Sequence, residues 1–347
     1  MRLKWTAMVL AAFLSGCFVP PDEEPRVRAT VPELDRRVVF SSHLGRVNSI
    51  QVVTLRGKRM LAIGCSRGAA FVATDYVLEQ SVFFSDIWMS TTIPVDIDRD
   101  GQFEFLEGDC GSKAKLLSAQ GHLLWEFPKN ERTVSPTRMA AGDLDGDGMQ
   151  EFLVGTNGGG GLFALDRGGS VIWKRDAGNV FGVEVVDLDG DGKCEIVHIN
   201  VGNVVIRDLN GDQLRQFEFN TLFRSPLTWP RDGGGAFLVR ESDASVELCD
   251  DQGQPLSSIR LPDGDGYTVW VQPVKLGGSS WFAAANQRSY AYGSGYLYIF
   301  DESGQVLHDE VFAHRVEALA GVPDPQNPES ELLLIGVAGQ VIEYRKR

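Results

Sequence analysis

Three short segments carry carboxylates at a spacing that suits metal binding. They are "DIDRDGQFE" from Asp96, "DLDGDGMQE" from Asp143 and "DLDGDGKCE" from Asp187, and their first aspartates lie 47 and 44 positions apart. Aspartates at positions 1, 3 and 5 can turn their oxygens inward when a glycine at position 6 allows a sharp turn. A backbone carbonyl at position 7 and a carboxylate at position 9 complete an oxygen cage of the kind that Ca²⁺ prefers. The pattern predicts three calcium sites.

The predicted ligands follow from these positions. They are Asp96, Asp98, Asp100, the Gln102 carbonyl and Glu104; Asp143, Asp145, Asp147, the Met149 carbonyl and Glu151; and Asp187, Asp189, Asp191, the Lys193 carbonyl and Glu195. Carboxylates held this close repel one another, so we expect a divalent ion to stabilise the loops. Magnesium suits them less because it requires stricter octahedral geometry. The residues alone leave open that the segments are solvated acidic turns between strands.

The flanking residues place these loops between strands. An EF-hand would need a bidentate glutamate at position 12, where the chain has Glu107, Val154 and His198. Each loop is followed by an apolar run such as "EFLVG", a second run such as "GLFALD", and a small turn before a third, "VIWKR". Four short strands in about 44 residues are typical of a propeller blade. The loops therefore join the first and second strands of a blade.

The same unit recurs along the chain and predicts an all-β fold. Units begin near Arg46, Thr91, Thr137, Gly182, Arg224, Tyr267 and Arg315, which predicts a β-propeller of seven four-stranded blades; the loose last units leave six or eight blades open. The seventh unit has three strands, so we expect an N-terminal strand in "RRVVFSSHLGRV" to close the ring and remove exposed sheet edges.

Residues 91–200 resemble the FG-GAP/VCBS repeat family, whose blades carry a D-x-D-x-D-G-x-x-[DE] calcium loop, as in the propeller of integrin α-chains. The resemblance implies structural calcium in the second, third and fourth blades. It also implies that partners bind on the opposite face. The remaining blades keep only the period and the hairpins, since "PRDGGG", "VKLGGS" and "PDPQNPESE" have lost the loop pattern.

The N-terminus has the features of an export signal. Two basic residues precede an apolar run that ends in "LSGC", which resembles the lipobox of bacterial lipoproteins. This resemblance implies a signal peptide over residues 1–16 and lipidation of Cys17, and Phe18 after the cysteine favours the outer membrane, on its periplasmic or surface side. A proline-rich and charged tether is predicted over 17–36, and the propeller over 37–347. A plain secretory signal is the alternative.

The passages between blades predict a partner-binding face. Its candidates are aromatic residues and arginines of the kind found in binding hot spots: Trp88, Arg132, Phe181, Phe223, Arg224, Tyr267, Tyr290 and Tyr292. Ordinary packing between blades is the alternative for each of them. We expect a monomeric propeller that binds an envelope protein or a glycan and contacts the membrane through its lipid alone.

Composition limits the remaining functions. The net charge of −14 argues against a nucleic-acid partner, because phosphate would be repelled. The sequence contains no G-x-S-x-G or H-E-x-x-H motif, and the five histidines show no metal spacing. We therefore predict a binding, adhesion or envelope-scaffold module. The alternative is a propeller enzyme of the polysaccharide-lyase or quinoprotein type.

Two cysteines form a candidate disulfide. Cys65 and Cys110 end the second strand of neighbouring units, and an exported compartment permits a bond between them. Two buried thiols are the alternative.

Overall fold

The chain folds as β-structure throughout the part that the structure describes. The computed structural model describes residues 25–84, 91–108, 113–129, 135–219, 228–230, 234–242, 245–260, 267–287, 294–301 and 303–347. These ranges contain strands and turns and no α-helix. Accordingly, no helix among the described residues is long and apolar enough to cross a membrane. The predicted signal peptide and Cys17 lie outside these ranges.

Twenty-nine strands are described, and their bounds match the predicted repeat. In chain order they are β1 Arg26–Thr30, β2 Leu34–Ser41, β3 Val47–Leu55, β4 Lys58–Cys65, β5 Gly68–Ala73, β6 Leu78–Phe83, β7 Thr91–Val95, β8 Glu104–Gly108, β9 Ala114–Leu117, β10 Leu123–Phe127, β11 Ser135–Gly142, β12 Glu151–Asn157, β13 Gly161–Leu165, β14 Val171–Arg175, β15 Val180–Val186, β16 Glu195–Asn200, β17 Asn203–Arg207, β18 Gln213–Glu218, β19 Thr228–Pro230, β20 Ala236–Ser242, β21 Ser245–Cys249, β22 Pro255–Arg260, β23 Tyr267–Leu276, β24 Ser279–Gln287, β25 Gly295–Asp301, β26 Val306–Phe312, β27 Val316–Asp324, β28 Asn327–Val337 and β29 Gln340–Lys346.

Seven antiparallel sheets form a seven-bladed β-propeller, as the sequence predicts. Blades one to five are β3–β6, β7–β10, β11–β14, β15–β18 and β19–β22, and blade six is β23–β26. Blade seven combines β27, β28 and β29 with β2 as its outer strand, so the N-terminal closure is also confirmed. Both ends of the propeller domain therefore meet in one sheet.

The predicted tether range of 17–36 is corrected at its end, where strands cover most of residues 26–36. Residues 26–30 form β1, which pairs with β26 as a fifth strand of blade six, and β2 begins at Leu34. The charged residues of this segment hid these strands, because Arg28 and Arg36 pair with carboxylates of blade six instead of standing in solvent. Arg28 bonds Asp309 and Arg36 bonds Glu310.

The core lies between the blades. Among the described residues, the buried apolar side chains form seven clusters, and each cluster joins two neighbouring blades. The middle strands carry most of this surface, and β13 is buried along its whole length. The outer strand β14 exposes three of its five residues, with Val171 50% and Ile172 51% exposed. Burial on both sides explains why middle strands read as continuous apolar runs.

The outer strand of one blade contacts a turn of the next blade. The indole of Trp125 on β10 donates a hydrogen bond to the Arg167 carbonyl at 2.9 Å, and the indole of Trp173 on β14 donates one to the Leu209 carbonyl at 3.2 Å. Phe217 on β18 packs against Gly253 of blade five in the same way, without a polar bond. Each of these contacted turns joins the third and fourth strands of its own blade.

Antiparallel order defines two faces. The loops between first and second strands and the turns between third and fourth strands lie on one face, which we call the acidic-loop face. The passages between blades and the turns between second and third strands lie on the opposite face. Arg167, in a third-to-fourth turn, contacts Asp147 of an acidic loop at 3.3 Å, as this assignment requires.

Candidate metal centres

The three acidic segments occupy equivalent positions in adjacent blades. They join β7 to β8, β11 to β12 and β15 to β16, and the glutamate at position 9 is the first residue of the second strand in each case. Glu104, Glu151 and Glu195 pair there with the last residue of the first strand. Strand pairing therefore brings both ends of each loop together on the acidic-loop face.

Hydrogen bonds from the loop backbone fix the aspartates. In the second loop, Asp143 accepts a bond from the Gly148 amide at 2.9 Å. Asp145 accepts one from the Asp147 amide at 3.0 Å, and Asp147 accepts one from the Met149 amide at 2.7 Å. Each bond uses one carboxylate oxygen, so the loop holds its side chains in place before any ion binds.

The first and third loops repeat this pattern. The position-6 glycine amide bonds the position-1 aspartate at 3.1 Å in the first loop and 3.0 Å in the third. The bonds from position 5 to position 3 are 3.2 and 3.1 Å, and those from position 7 to position 5 are 2.6 and 2.8 Å. The three loops therefore share these backbone hydrogen bonds.

The glutamates at position 9 are the most enclosed members of the set. Glu151 is 3% exposed and accepts a bond from the Leu144 amide at 3.0 Å, and Glu195 accepts one from the Leu188 amide at 2.9 Å. Glu104 accepts a longer bond from the Ile97 amide, at 3.4 Å. Burial, with repulsion from the loop aspartates, raises the pKa of all three glutamates.

Carboxylate oxygens converge in each loop. Ligand atoms lie within 4.8 Å of one another in three groups: Asp96, Asp98 and Asp100; Asp143, Asp145 and Glu151; and Asp187, Asp189 and Glu195. Glu104, Asp147 and Asp191 are close in sequence but fall outside these groups. The donors are all hard oxygens, without histidine or thiolate, and this donor set fits Ca²⁺. Burial and the nearby carboxylates raise the pKa of the Cys194 thiol, which lies beside the third loop.

One oxygen of the first loop is buried without a hydrogen-bond partner. In the second and third loops, Oδ1 of the first aspartate accepts a bond from the position-4 glycine amide, at 2.7 and 2.8 Å. In the first loop position 4 is Arg99, and Oδ1 of Asp96 is buried and unpaired. A bound cation would satisfy this oxygen.

Arg99 is a residue whose role the spacing of carboxylates did not reveal. Its φ is +60°, whereas the equivalent Gly146 and Gly190 have φ values of +80° and +85°. Its guanidinium reaches the second loop, where a Cβ added to Gly148 would lie 2.9 Å from Nη1. The one sign of this role in the sequence was that position 4 is arginine in the first loop and glycine in the other two. Arg99 thus places a positive charge between two acidic loops.

The other described blades use their loops differently. Blade one has an exposed basic turn with Arg56, Lys58 and Arg59. In blade seven, Asp324 is 6% exposed and lies 3.4 Å from Arg345, and Glu331 accepts a bond from the Lys275 amide at 2.8 Å. Both of these blade-seven carboxylates are therefore paired with other groups of the protein.

The predicted partner-binding face is described in part. Trp88, Arg132, Phe223, Arg224, Tyr290 and Tyr292 lie outside the described residues. Tyr267 is the first residue of β23. Phe181 is 9% exposed, so it offers little surface to a partner, and its assignment to a binding face is corrected.

The cysteines are free thiols where the structure describes them. Cys65 is buried and shares a hydrogen bond with Ser42 at 3.2 Å, so it forms no disulfide in this structure. Burial raises the pKa of its thiol to about 11. Cys110, its predicted partner, lies outside the described residues. The buried-thiol alternative describes Cys65.

Two histidines are buried in polar networks. His198 accepts a hydrogen bond from Nε of Arg207 at 2.9 Å, and burial together with this guanidinium lowers its pKa to about 3. His308 bonds Glu310 at 3.0 Å. His43, His122 and His314 are exposed. The buried pair supports the fold and does not line an open cleft.

Fold and loops together define a seven-bladed β-propeller with three equivalent carboxylate loops on one face. No family model matches the chain, and no curated protein matches its sequence. Solved structures do match its fold. One is BBS1N in complex with ARL6DN, at a TM-score of 0.59 and 13% identity, covering 92% of this chain and 97% of that one.

Two lyases have the same fold. A catalytically inactive virginiamycin B lyase from Staphylococcus aureus with quinupristin matches at a TM-score of 0.61 and 10% identity, over 90% of this chain and 99% of that one. A streptogramin B lyase matches at 0.60 and 9%, over 90% and 98%. At such identities the likeness concerns the fold alone.

Proposed function

We propose that this protein is a lipid-anchored, calcium-stabilised propeller that binds an envelope protein or a glycan without catalysing a reaction. The observation that carries the proposal is the shared geometry of the three acidic loops, in which backbone amides hold carboxylates so that their oxygens converge within 4.8 Å. Carboxylates kept this close cost free energy unless a cation lies among them. The unpaired buried oxygen of Asp96 supports the same conclusion.

Calcium has a structural role in this proposal. The loops connect the first and second strands of blades two, three and four, so ions bound there would stiffen three adjacent blades. Binding to the folded state alone stabilises it by RT ln(1 + [L]/Kd), which is about 2.7 kcal/mol at a hundredfold excess over Kd. The face opposite the loops is then left for a partner.

The proposed binding role is supported by the contacts of the reactive side chains among the described residues. Both buried histidines are engaged by Arg207 and Glu310, and the described cysteines are protonated or enclosed thiols. A propeller is also the fold of BBS1N, whose structure was solved in complex with ARL6DN. The lyase fold keeps catalysis as the competing function to be tested.

Calcium titration of the whole protein by isothermal calorimetry tests the metal sites. We expect about three Ca²⁺ per chain, two in Asp143→Asn, and little heat with Mg²⁺. Asp176→Asn is the matched control, because Asp176 is exposed and lies outside the loops. A protein that binds no calcium at millimolar concentration would contradict the proposal.

The anchor and the partner need separate tests. Metabolic labelling with a fatty-acid analogue should mark the wild type and leave Cys17→Ser unmarked. Crosslinking of the lipidated protein in its own envelope, with calcium and with chelator, should then capture a reproducible partner or a defined glycan. Turnover of an acidic polysaccharide by the purified protein, without any captured partner, would favour the enzyme instead.

A further inference from the structure

Blade six differs from the other blades in having five strands. Its four strands β23–β26 follow the common pattern, and β1 is added at the outer edge by antiparallel pairing with β26. Blade seven needs β2 to reach four strands, whereas blade six is complete without β1. Strand β1 therefore covers a sheet edge that does not need to be paired for the ring to close.

Few side-chain contacts hold β1 in place. Its burial pattern shows one half-buried residue, Arg28, between exposed neighbours, and Val27 is 46% exposed. The pairing is interrupted by a register shift between Val27 and Ala29. An edge strand that buries little apolar surface belongs to the low-stability end of a structure. Main-chain pairing with β26 and the contacts of Arg28 contribute to holding strand β1.

Arg28 fits into a socket that blade six builds from β25 and β26. Its Nε donates to Oδ1 of Asp309 at 2.8 Å and its Nη2 to the hydroxyl of Tyr298 at 3.2 Å. The guanidinium also lies over the ring of Tyr296, 5.5 Å from its centroid, and 6.0 Å from that of Tyr298. A carboxylate with two aromatic rings suits a planar guanidinium better than an ammonium.

The rest of the N-terminus is held independently of β1. Strand β2 buries Leu34 and Phe40, and it carries Arg36 and Arg37, which pair with Glu310 and Glu343 at 2.8 Å. Three residues, 31–33, separate β1 from β2. Release of β1 would leave the closing strand and the ring in place.

We propose that the outer edge of β26 is a strand-binding site that β1 occupies in the resting protein and that an extended, arginine-bearing segment of a partner protein takes over. Addition of a strand to a sheet edge gives affinity through main-chain hydrogen bonds and specificity through side-chain sockets. The Asp309–Tyr298–Tyr296 socket selects arginine in the middle of the segment. This proposal specifies the class of partner for the proposed binding role, and its biological use rests on that role. Strand binding itself needs neither calcium nor lipid.

The test uses the full-length chain and a labelled peptide, PRVRATV, that copies residues 25–31. In Arg28→Ala the resident strand loses its socket contacts, so the peptide should bind about tenfold or more tighter than it binds wild type. A peptide with alanine in place of the second arginine should bind neither protein. Arg59→Ala, an exposed arginine of blade one, is the control and should behave as wild type.

Hydrogen exchange of residues 306–312 supplies a second readout. These amides should exchange faster in Arg28→Ala than in wild type and regain protection when the peptide is added. If Arg28→Ala does not fold, Arg28→Lys serves in its place, because it keeps the charge and loses the planar fork. Unchanged exchange and no peptide binding at millimolar concentration would overturn the proposal. Calcium titration of the same sample is independent of this result, so the two proposals can fail separately.

Discussion

The first aspartate of each acidic loop uses its two oxygens differently. Oδ2 accepts the amide of the glycine at position 6, which shapes the turn. Oδ1 accepts a second amide in two loops and is buried without a partner in the first. The same side chain thus organises the loop and, in the calcium proposal, also offers an oxygen to the ion. Substitutions must separate these roles, and a change from aspartate to asparagine does so, because it removes the charge and keeps an oxygen acceptor.

Asp145→Asn tests the calcium role of a single residue. Its oxygen can still accept the Asp147 amide, but the loop loses one negative charge. In calcium we expect the melting temperature to fall by a few degrees, because a weaker site contributes less of the roughly 2.7 kcal/mol available at a hundredfold excess over Kd. In chelator we expect no fall, because repulsion among the carboxylates is relieved.

Differential scanning calorimetry with calcium and with chelator measures both effects. Asp176→Asn, which changes the charge equally outside the loops, should leave the calcium-dependent shift intact. An equal drop in both conditions would mean that Asp145 acts through the fold alone.

At the scale of the element, packing between blades depends on the outer strands. Trp125 is 7% exposed, and its indole donates to the Arg167 carbonyl of the next blade. Trp125→Phe should fold, because blade four uses Phe217 at the equivalent place. It should lower the free energy of unfolding by about 1–3 kcal/mol, through the lost hydrogen bond and a small cavity. Urea unfolding in calcium measures the loss, and an unchanged midpoint would show that this grip is dispensable.

The closing strand β2 makes stability depend on pH through Glu310. Burial alone would raise the pKa of Glu310, but hydrogen bonds from His308, Tyr344 and Arg36 outweigh burial, and the pKa is lowered from its ordinary value. A carboxyl with a lowered pKa in the folded state stabilises the fold above its unfolded pKa, about 4.3. That contribution is lost as the pH falls through the lower, folded pKa.

Glu310→Gln should therefore flatten the acid limb of the stability curve. At neutral pH we expect the variant to be less stable by about 1–3 kcal/mol, and below about pH 4.3 the gap to wild type should narrow. Chemical unfolding at a series of pH values gives the curve. Glu79→Gln, an exposed carboxyl of blade one, should follow the wild type. A gap that stays constant with pH would show that Glu310 is not the group responsible.

The repeat was predictable from sequence because each blade repeats the same local pattern. Units expected near Arg46, Thr91 and Tyr267 begin in the structure at Val47, Thr91 and Tyr267. The positions of the acidic loops were predictable for the same reason, since each loop lies within nine residues. Strand β1 was not, because it lies outside the four-strand repeat and buries none of its five residues, so it has no apolar run and no counterpart in the other blades.

At the scale of the whole molecule, the topology sets where the N-terminus leaves the propeller. Arg26, the first residue of β1, pairs with Val311 near the end of β26, and β26 runs from the acidic-loop face towards the opposite face. The chain upstream of β1 therefore leaves from the opposite face. Cys17 lies nine positions before Arg26, so the chain between them spans at most about 32 Å when fully extended.

Lipidation at Cys17 would consequently orient the propeller, with the opposite face towards the bilayer and the acidic-loop face away from it. The orientation also keeps a set of carboxylates away from anionic headgroups, which would repel them. Energy transfer from a lipid dye to a probe on the lipidated protein, in vesicles, measures this orientation. One probe is placed at Val201, which is exposed in a second-to-third turn, and the other at Gln120, which is exposed in a third-to-fourth turn. We expect stronger transfer to the probe at Val201, and equal transfer to the Val201 and Gln120 probes would show that the tether imposes no orientation.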